Sequence, residues 1–224
     1  MPDKFDKILE SYTKLMHEIV IRTQVIDGLL TDVNNTGWLI SDIECIALNL
    51  RKIAELIVYA NLVSHEEEYD NLHPKSKYDW RIEGLLKKMR VINPDFYPYP
   101  SRRKASPDGN IYIHDLPVGT WMTETELVEM YNKCSNLIHV KNPFTASVNY
   151  KDYTSKFEEW IMKIAELLSH HTVALADGKH SITCVMHSTT DEKPSTVLMQ
   201  AVYLGDGLKR LQVIRGGLTP PMPD

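Results

Sequence analysis

The chain has 224 residues, 43% hydrophobic and 25% charged, with a formal net charge of -5. That composition suits a soluble globular protein with one substantial core and argues against a protein that grips nucleic acid with its whole surface. Three widely spaced cysteines without a CxxC pair argue against a disulfide framework or zinc knuckle, and no apolar run approaches the roughly 18 residues of a membrane helix.

Met1–Phe5 lacks the basic-then-apolar layout of a signal peptide, so a cytoplasmic protein is expected. From Asp3 to about Leu30, Phe5, Ile8, Leu9, Tyr12, Leu15, Met16, Ile19, Ile26 and Leu30 recur at helical intervals and predict one long amphipathic helix. Turn chemistry from Asp32 to Gly37 ends it. A second helix is expected to start at the capping box Ser41/Glu44 and to run to about Ser64, apolar nearly all round and therefore buried. On it Glu44, Arg51 and Glu55 fall within about 40° of one another on the helical wheel. Arg51 then either closes an internal ion-pair network or looks out towards an anionic ligand.

Glu66 to Asp70 reads as an acidic, solvated helix end or loop. A third helix is predicted from about Ser76 to Ile92. Between Asn71 and Lys104 nine basic residues face three acidic ones, so this region alone is suited to meet an anion. The proline-aromatic segment Asp95 to Pro100 must be extended or turn-like. Arg102, Arg103 and Lys104 follow in a predicted loop, where aromatics beside arginines suit stacked bases and phosphates. Asn110 to His114 and Gly119 to Met122 are expected to form a short hairpin; His114 and Asp115 alternate to opposite faces and make no dyad.

Thr123 with Glu126 forms a second capping box and opens a helix of about four turns that ends at Asn142-Pro143. Leu127, Met130, Cys134, Leu137 and Ile138 form its core stripe. Val128, Asn132, Ser135 and His139 share a separate, mostly polar stripe at the spacing of a helix seam. His139 in the last turn suits either a hydrogen-bonded end cap or a general acid/base in a groove between helices. A fifth helix runs from about Tyr150 or Ser155 to Ser169.

From His171 the period turns to alternation. Val173 to Leu175 and His180 to His187 predict a hairpin closed on Asp177-Gly178, with His171 opposite Cys184 and Leu175 opposite His180. Strands Thr196 to Leu204 and Leu208 to Ile214 follow. The histidines and Cys184 match no zinc spacing, and neither metal nor cofactor is expected. The predicted architecture is a mainly α, five-helix body over 1–169, a small antiparallel β meander over 170–218 packed on it, and a loose tail at 219–224.

Leu50-Arg-Lys-Ile-Ala-Glu-Leu56 on the central helix, with Tyr131-Asn-Lys-Cys-Ser-Asn-Leu-Ile-His139-Val-Lys-Asn-Pro-Phe144, resembles a HEPN domain over roughly Ser41 to Leu168. The resemblance implies an all-helical bundle, often dimeric, of prokaryotic defence and toxin systems. Active members are metal-independent ribonucleases with an arginine, four to six residues, then a histidine. Here no arginine precedes His139 at that spacing. Lys133 lies about 120° away on the wheel and lacks the planar guanidinium fork. The resemblance makes His139 the general acid or base, and the arginine's work passes to Arg51, Lys141 or a second protomer, with Asn132, Ser135 and Glu55 in support. Arg102, Arg103 and Lys104 are then expected to bind RNA at the rim. The competing reading is a non-catalytic dimeric adaptor whose meander binds a protein or small ligand; it expects an occluded His139 and an exposed apolar patch or sheet edge.

Overall fold

The computed structural model describes residues 4–31, 33–73, 81–105, 111–140, 144, 149–186, 194–203 and 209–217; side chains at 103–105, 111–113, 151, 201–203 and 209–217 are not part of the description. Helices α1 (Lys4–Leu30) and α2 (Leu39–Ser64) form a long hairpin. Gly28 permits the turn between them: a Cβ there would lie 2.7 Å from the Asn34 amide, whose backbone N–H caps the Gly28 carbonyl at 3.0 Å. Helices α3 (Glu66–Leu72), α4 (Ile82–Ile92), α5 (Glu124–Leu137) and α6 (Thr154–Leu168, entered through a 3-10 turn) complete the helical part. Central α2 packs against α1, α3, α4 and α5. Leu50, Ile53 and Ile57 at its middle are fully buried beside Tyr12, Met16, Leu127 and Met130, as its all-round apolar sequence requires.

The fold is mainly α with an antiparallel sheet at the C-terminal end, as the periodicities predict, but the sheet is larger than the meander. Its six described strands run in the order β2-β1-β3-β4-β5-β6. Strands β3 (His170–Ala174), β4 (His180–Val185), β5 (Ser195–Tyr203) and β6 (Lys209–Gly217) are the expected meander. The hairpin register is the predicted one, with His171 opposite Cys184 and the Leu175 N–H donating to the His180 carbonyl. Gly178 adopts φ +67° at the turn, and the Asp177 carboxylate accepts from the Lys179 and His180 backbone N–H groups. Strands β1 (Tyr99–Ala105) and β2 (Ile111–Asp115) come from mid-chain and extend this sheet.

Several expectations are corrected. Arg102, Arg103 and Lys104 lie in β1 rather than a loop, and β2 pairs with β1 instead of with Gly119 to Met122. The extended backbone imposed by Pro98 and Pro100 makes 99–105 a strand, and Tyr99 and Pro100 pair with β3 at its first two positions, where a missing N–H is tolerated. Helix α2 starts at Leu39, two residues before Ser41, and its N-cap Trp38 gives no side-chain bond; instead the Asp42 carboxylate accepts from the Thr36 N–H and hydroxyl at 2.9 and 2.8 Å. The acidic stretch forms a helix of its own, α3, because Tyr69 turns inward and is 2% exposed. Residues 218–224, including the expected tail, lie outside the described residues.

Two buried histidines tie helices to sheet. His171 donates from Nδ1 to the Leu168 carbonyl (2.8 Å) and accepts at Nε2 from the Tyr12 hydroxyl (2.7 Å). His65 bonds from Nδ1 to the Asn61 carbonyl (2.9 Å), and the Asn93 amide bridges its Nε2 (3.0 Å) to the Ala174 carbonyl of β3 (2.9 Å). These histidines therefore hold structure. Among the described residues no helix is long and apolar enough to cross a membrane.

Candidate functional site

Three helices converge on one cavity of about 420 Å³, lined by Arg51, Arg81, Ile82, Glu83, Tyr131, Asn132, Ser135 and His139. Helix α2 supplies Arg51 from its one polar stripe. The N-terminus of α4 supplies Arg81, Ile82 and Glu83, so the positive end of that helix lies at the cavity. From α5 come Tyr131, Asn132 and Ser135, set by the Thr123/Glu126 capping box that forms as predicted. The polar seam of α5 thus faces a groove against α4.

Arg51 is held on two sides. Its Nε donates to Glu55 Oε1 at 3.3 Å, and its guanidinium carbon sits 5.2 Å from the centre of the Tyr131 ring. Arg51 pairs with Glu55 on its own helix, and it also lines the cavity, 23% exposed. Among the described residues its terminal nitrogens make no hydrogen bond. Nearby, Tyr59 has its phenol pKa raised by burial first and then by the Glu55 charge.

His139 lies two residues beyond the last residue of α5, because the helix ends at Leu137 and Ile138 is its C-cap. The expected last-turn position is corrected by that much. The helix end is closed by the Ile138 N–H on the Cys134 carbonyl, so the imidazole is exposed rather than occluded as an end cap. The Ser135 hydroxyl donates to the Tyr131 carbonyl at 2.7 Å and keeps only acceptor capacity for the cavity. The Asn132 amide donates to Glu83 Oε1 at 2.8 Å.

The other predicted residues fall elsewhere. Lys141 lies outside the described residues. Arg102 projects from β1 onto α6, where it forks the Glu166 carboxylate at 2.7 and 2.8 Å, and it does not line the cavity. The side chains of Arg103 and Lys104 are outside the description. Lys133 pairs with Glu129 at 3.6 Å and is also absent from the lining. Sequence reasoning missed Arg81, Glu83 and Tyr131. Arg81 belongs to the basic excess of residues 71–104, but a helix predicted from Ser76 places it inside the helix rather than at its start; Tyr131 carries the signal of standing four residues before Ser135.

The remaining reactive groups serve the core. Burial pushes the Cys134 thiol up to about 12 and Cys184 higher still, so neither is a nucleophile at neutral pH. Ser101 and His170 make a 2.7 Å pair but are 4% and 8% exposed, between strands. His180 is engaged by Asp177. No family model matches this chain, and neither curated proteins nor solved structures contain a match to it.

Proposed function

We propose that this chain is a HEPN-like protein of a prokaryotic defence or stress setting that binds single-stranded RNA in the α2–α4–α5 cavity and cleaves it without a metal. The observation that carries the reading is the convergence of Arg51, Arg81, the start of α4 and His139 on one hollow of about 420 Å³. Two guanidinium groups and a helix N-terminus favour a phosphate, and an imidazole is the lining group suited to proton transfer near neutrality. In this reaction the ribose 2′-hydroxyl attacks the adjacent phosphorus and the bond to the 5′ oxygen breaks, leaving a 2′,3′-cyclic phosphate and a 5′-hydroxyl. His139 takes the 2′ proton as general base, and water protonates the leaving 5′ oxygen. Arg51, oriented by Glu55 and Tyr131, stabilises the charge gathering on the phosphoryl oxygens; the arginine missing before His139 is replaced from another helix. Association into a homodimer belongs to the same proposal.

The test is cleavage of a mixed pool of labelled single-stranded RNAs in chelator. His139→Ala is expected to lower the rate by about 10²–10⁴ and Arg51→Ala by about 10²–10³. Arg51→Lys, which lacks the fork, stays well below the parent. Folded protein that binds these RNAs but cuts none, at any pH or salt, would remove the catalytic part of the proposal. Protein that neither binds nor cuts them removes RNA altogether and moves attention to a partner bound at the sheet.

A further inference from the structure

Glu83 is out of place in a phosphate site. It stands on the α4 rim beside two arginines, yet among the described residues its partner is a neutral amide, Asn132, rather than a cation. A carboxylate there repels a phosphate chain. It also separates the cavity from a neighbouring hollow of about 290 Å³ that runs along the same α4–α5 groove, where Leu86 and Val128 offer apolar surface. The other carboxylates of that hollow are already engaged: Glu124 pairs with Arg90, and Glu129 with Lys133. Glu83 is thus the carboxylate on the ridge between a hollow lined by two arginines and a second one that mixes Leu86 and Val128 with Lys87.

We propose that the Asn132–Glu83 pair reads a guanine base seated against the ridge between the two hollows, where Asn132 faces the first and Glu83 lines both, while the adjoining phosphate meets Arg51 in the first; this rests on the RNA reading above. The argument is one of matching edges. With one amide hydrogen of Asn132 given to Glu83, the pair offers a remaining amide N–H followed by two carboxylate oxygens. That donor–acceptor–acceptor row is the order on the pairing edge of cytosine. It complements guanine, whose O6 accepts and whose N1–H and N2–H donate in parallel. Adenine presents one amino donor next to an acceptor, and uracil one donor between two acceptors, so each leaves a carboxylate oxygen facing an acceptor. Single-stranded RNA exposes these edges for such contacts.

Binding by fluorescence anisotropy tests the proposal, using short labelled single strands that differ in one base and carry a 2′-deoxy sugar there to prevent cleavage. The parent protein is expected to bind the guanine strand about tenfold more tightly than the adenine strand. The hypoxanthine strand, without the 2-amino group, should fall between them. Glu83→Gln should bring the guanine-to-adenine ratio within about twofold, and Asn132→Asp, which turns the donor into an acceptor, should lower it too. Both residues are exposed, and the ratio is insensitive to a uniform loss of affinity. Equal binding of all bases, or an unchanged ratio in Glu83→Gln, overturns the guanine assignment. If Arg51→Ala still weakens every strand alike in that case, the phosphate site survives; if no strand binds, the RNA reading and this inference fall together.

Discussion

Taking a guanidinium part-way out of water costs hydration, and for Arg51 the Glu55 carboxylate and the Tyr131 ring offset that cost while its outer nitrogens stay available to an anion. The buried histidines are solved differently: they remain neutral. Burial lowers the His171 pKa from its ordinary value to about 4, and burial lowers that of His65 as well. The sign follows from proton uptake. Unfolded histidine binds a proton below about pH 6.5, whereas folded His171 binds one only near pH 4. Its contribution is complete above about pH 6.5 and is lost as pH falls towards 4, on the order of 3 kcal/mol. Urea unfolding at successive pH values across this window should show stability falling with acidification. His171→Gln should unfold at lower urea but with a flatter pH dependence; slopes that run parallel would refute the assignment. For His65 an added Nε2 proton would also face the Asn93 amide hydrogens.

At the scale of elements, α5 is positioned by its first turn. The Thr123 hydroxyl accepts from the Glu126 N–H at 3.3 Å, and the Glu126 carboxylate accepts from the Thr123 N–H at 3.0 Å and from Lys163 of α6 at 2.5 Å. The Met122 N–H on the Lys163 carbonyl, 3.0 Å, joins the same two helices. Burial raises the Glu126 pKa, but the bonds from Lys163 and Thr123 outweigh it and the net shift is downward. This contribution is therefore present above the ordinary carboxylate range and lost at more acid pH. Thr123→Ala is expected to cost about 1 kcal/mol, and the double change with Glu126→Gln should cost less than the sum of the two single changes. Additive losses in chemical denaturation would show that the two halves of the box act independently. This box was legible because both halves sit within four residues. The Ser41/Glu44 pattern has the same letters and fails, because Asp42 reaches back to Thr36 and the helix begins earlier.

Over the whole molecule, the helical part and the sheet share one hydrophobic core: Val173, Ile182, Cys184 and Leu198 join the cluster built on α1 and α2. Among the exposed apolar side chains of the described residues, four fall together at the α1–α2 turn, where Val33 and Trp38 are each 75% exposed and Leu39 and Ile40 about half. Such a run gains from association and is the face we propose for the homodimer. Sedimentation equilibrium should find a dimer, and Trp38→Asp with Ile40→Asp should shift it to a folded monomer; a parent protein that is monomeric at high concentration would remove this assignment.

Local patterns of the sequence determined the helices α1, α2, α5 and α6, the stripe carrying Asn132 and Ser135, and the β3–β4 register, because each rests on periodicity or on caps and turns within a few residues. Only tertiary structure decided that 99–105 and 111–115 join a sheet formed largely by residues after 170, and that Arg51, Arg81 and Glu83 meet α5 around one cavity. Those outcomes depend on which elements pack together. A strand's partner and a groove's far wall are chosen by burial and backbone hydrogen bonding across many intervening residues, a choice that no spacing of residues along the chain records.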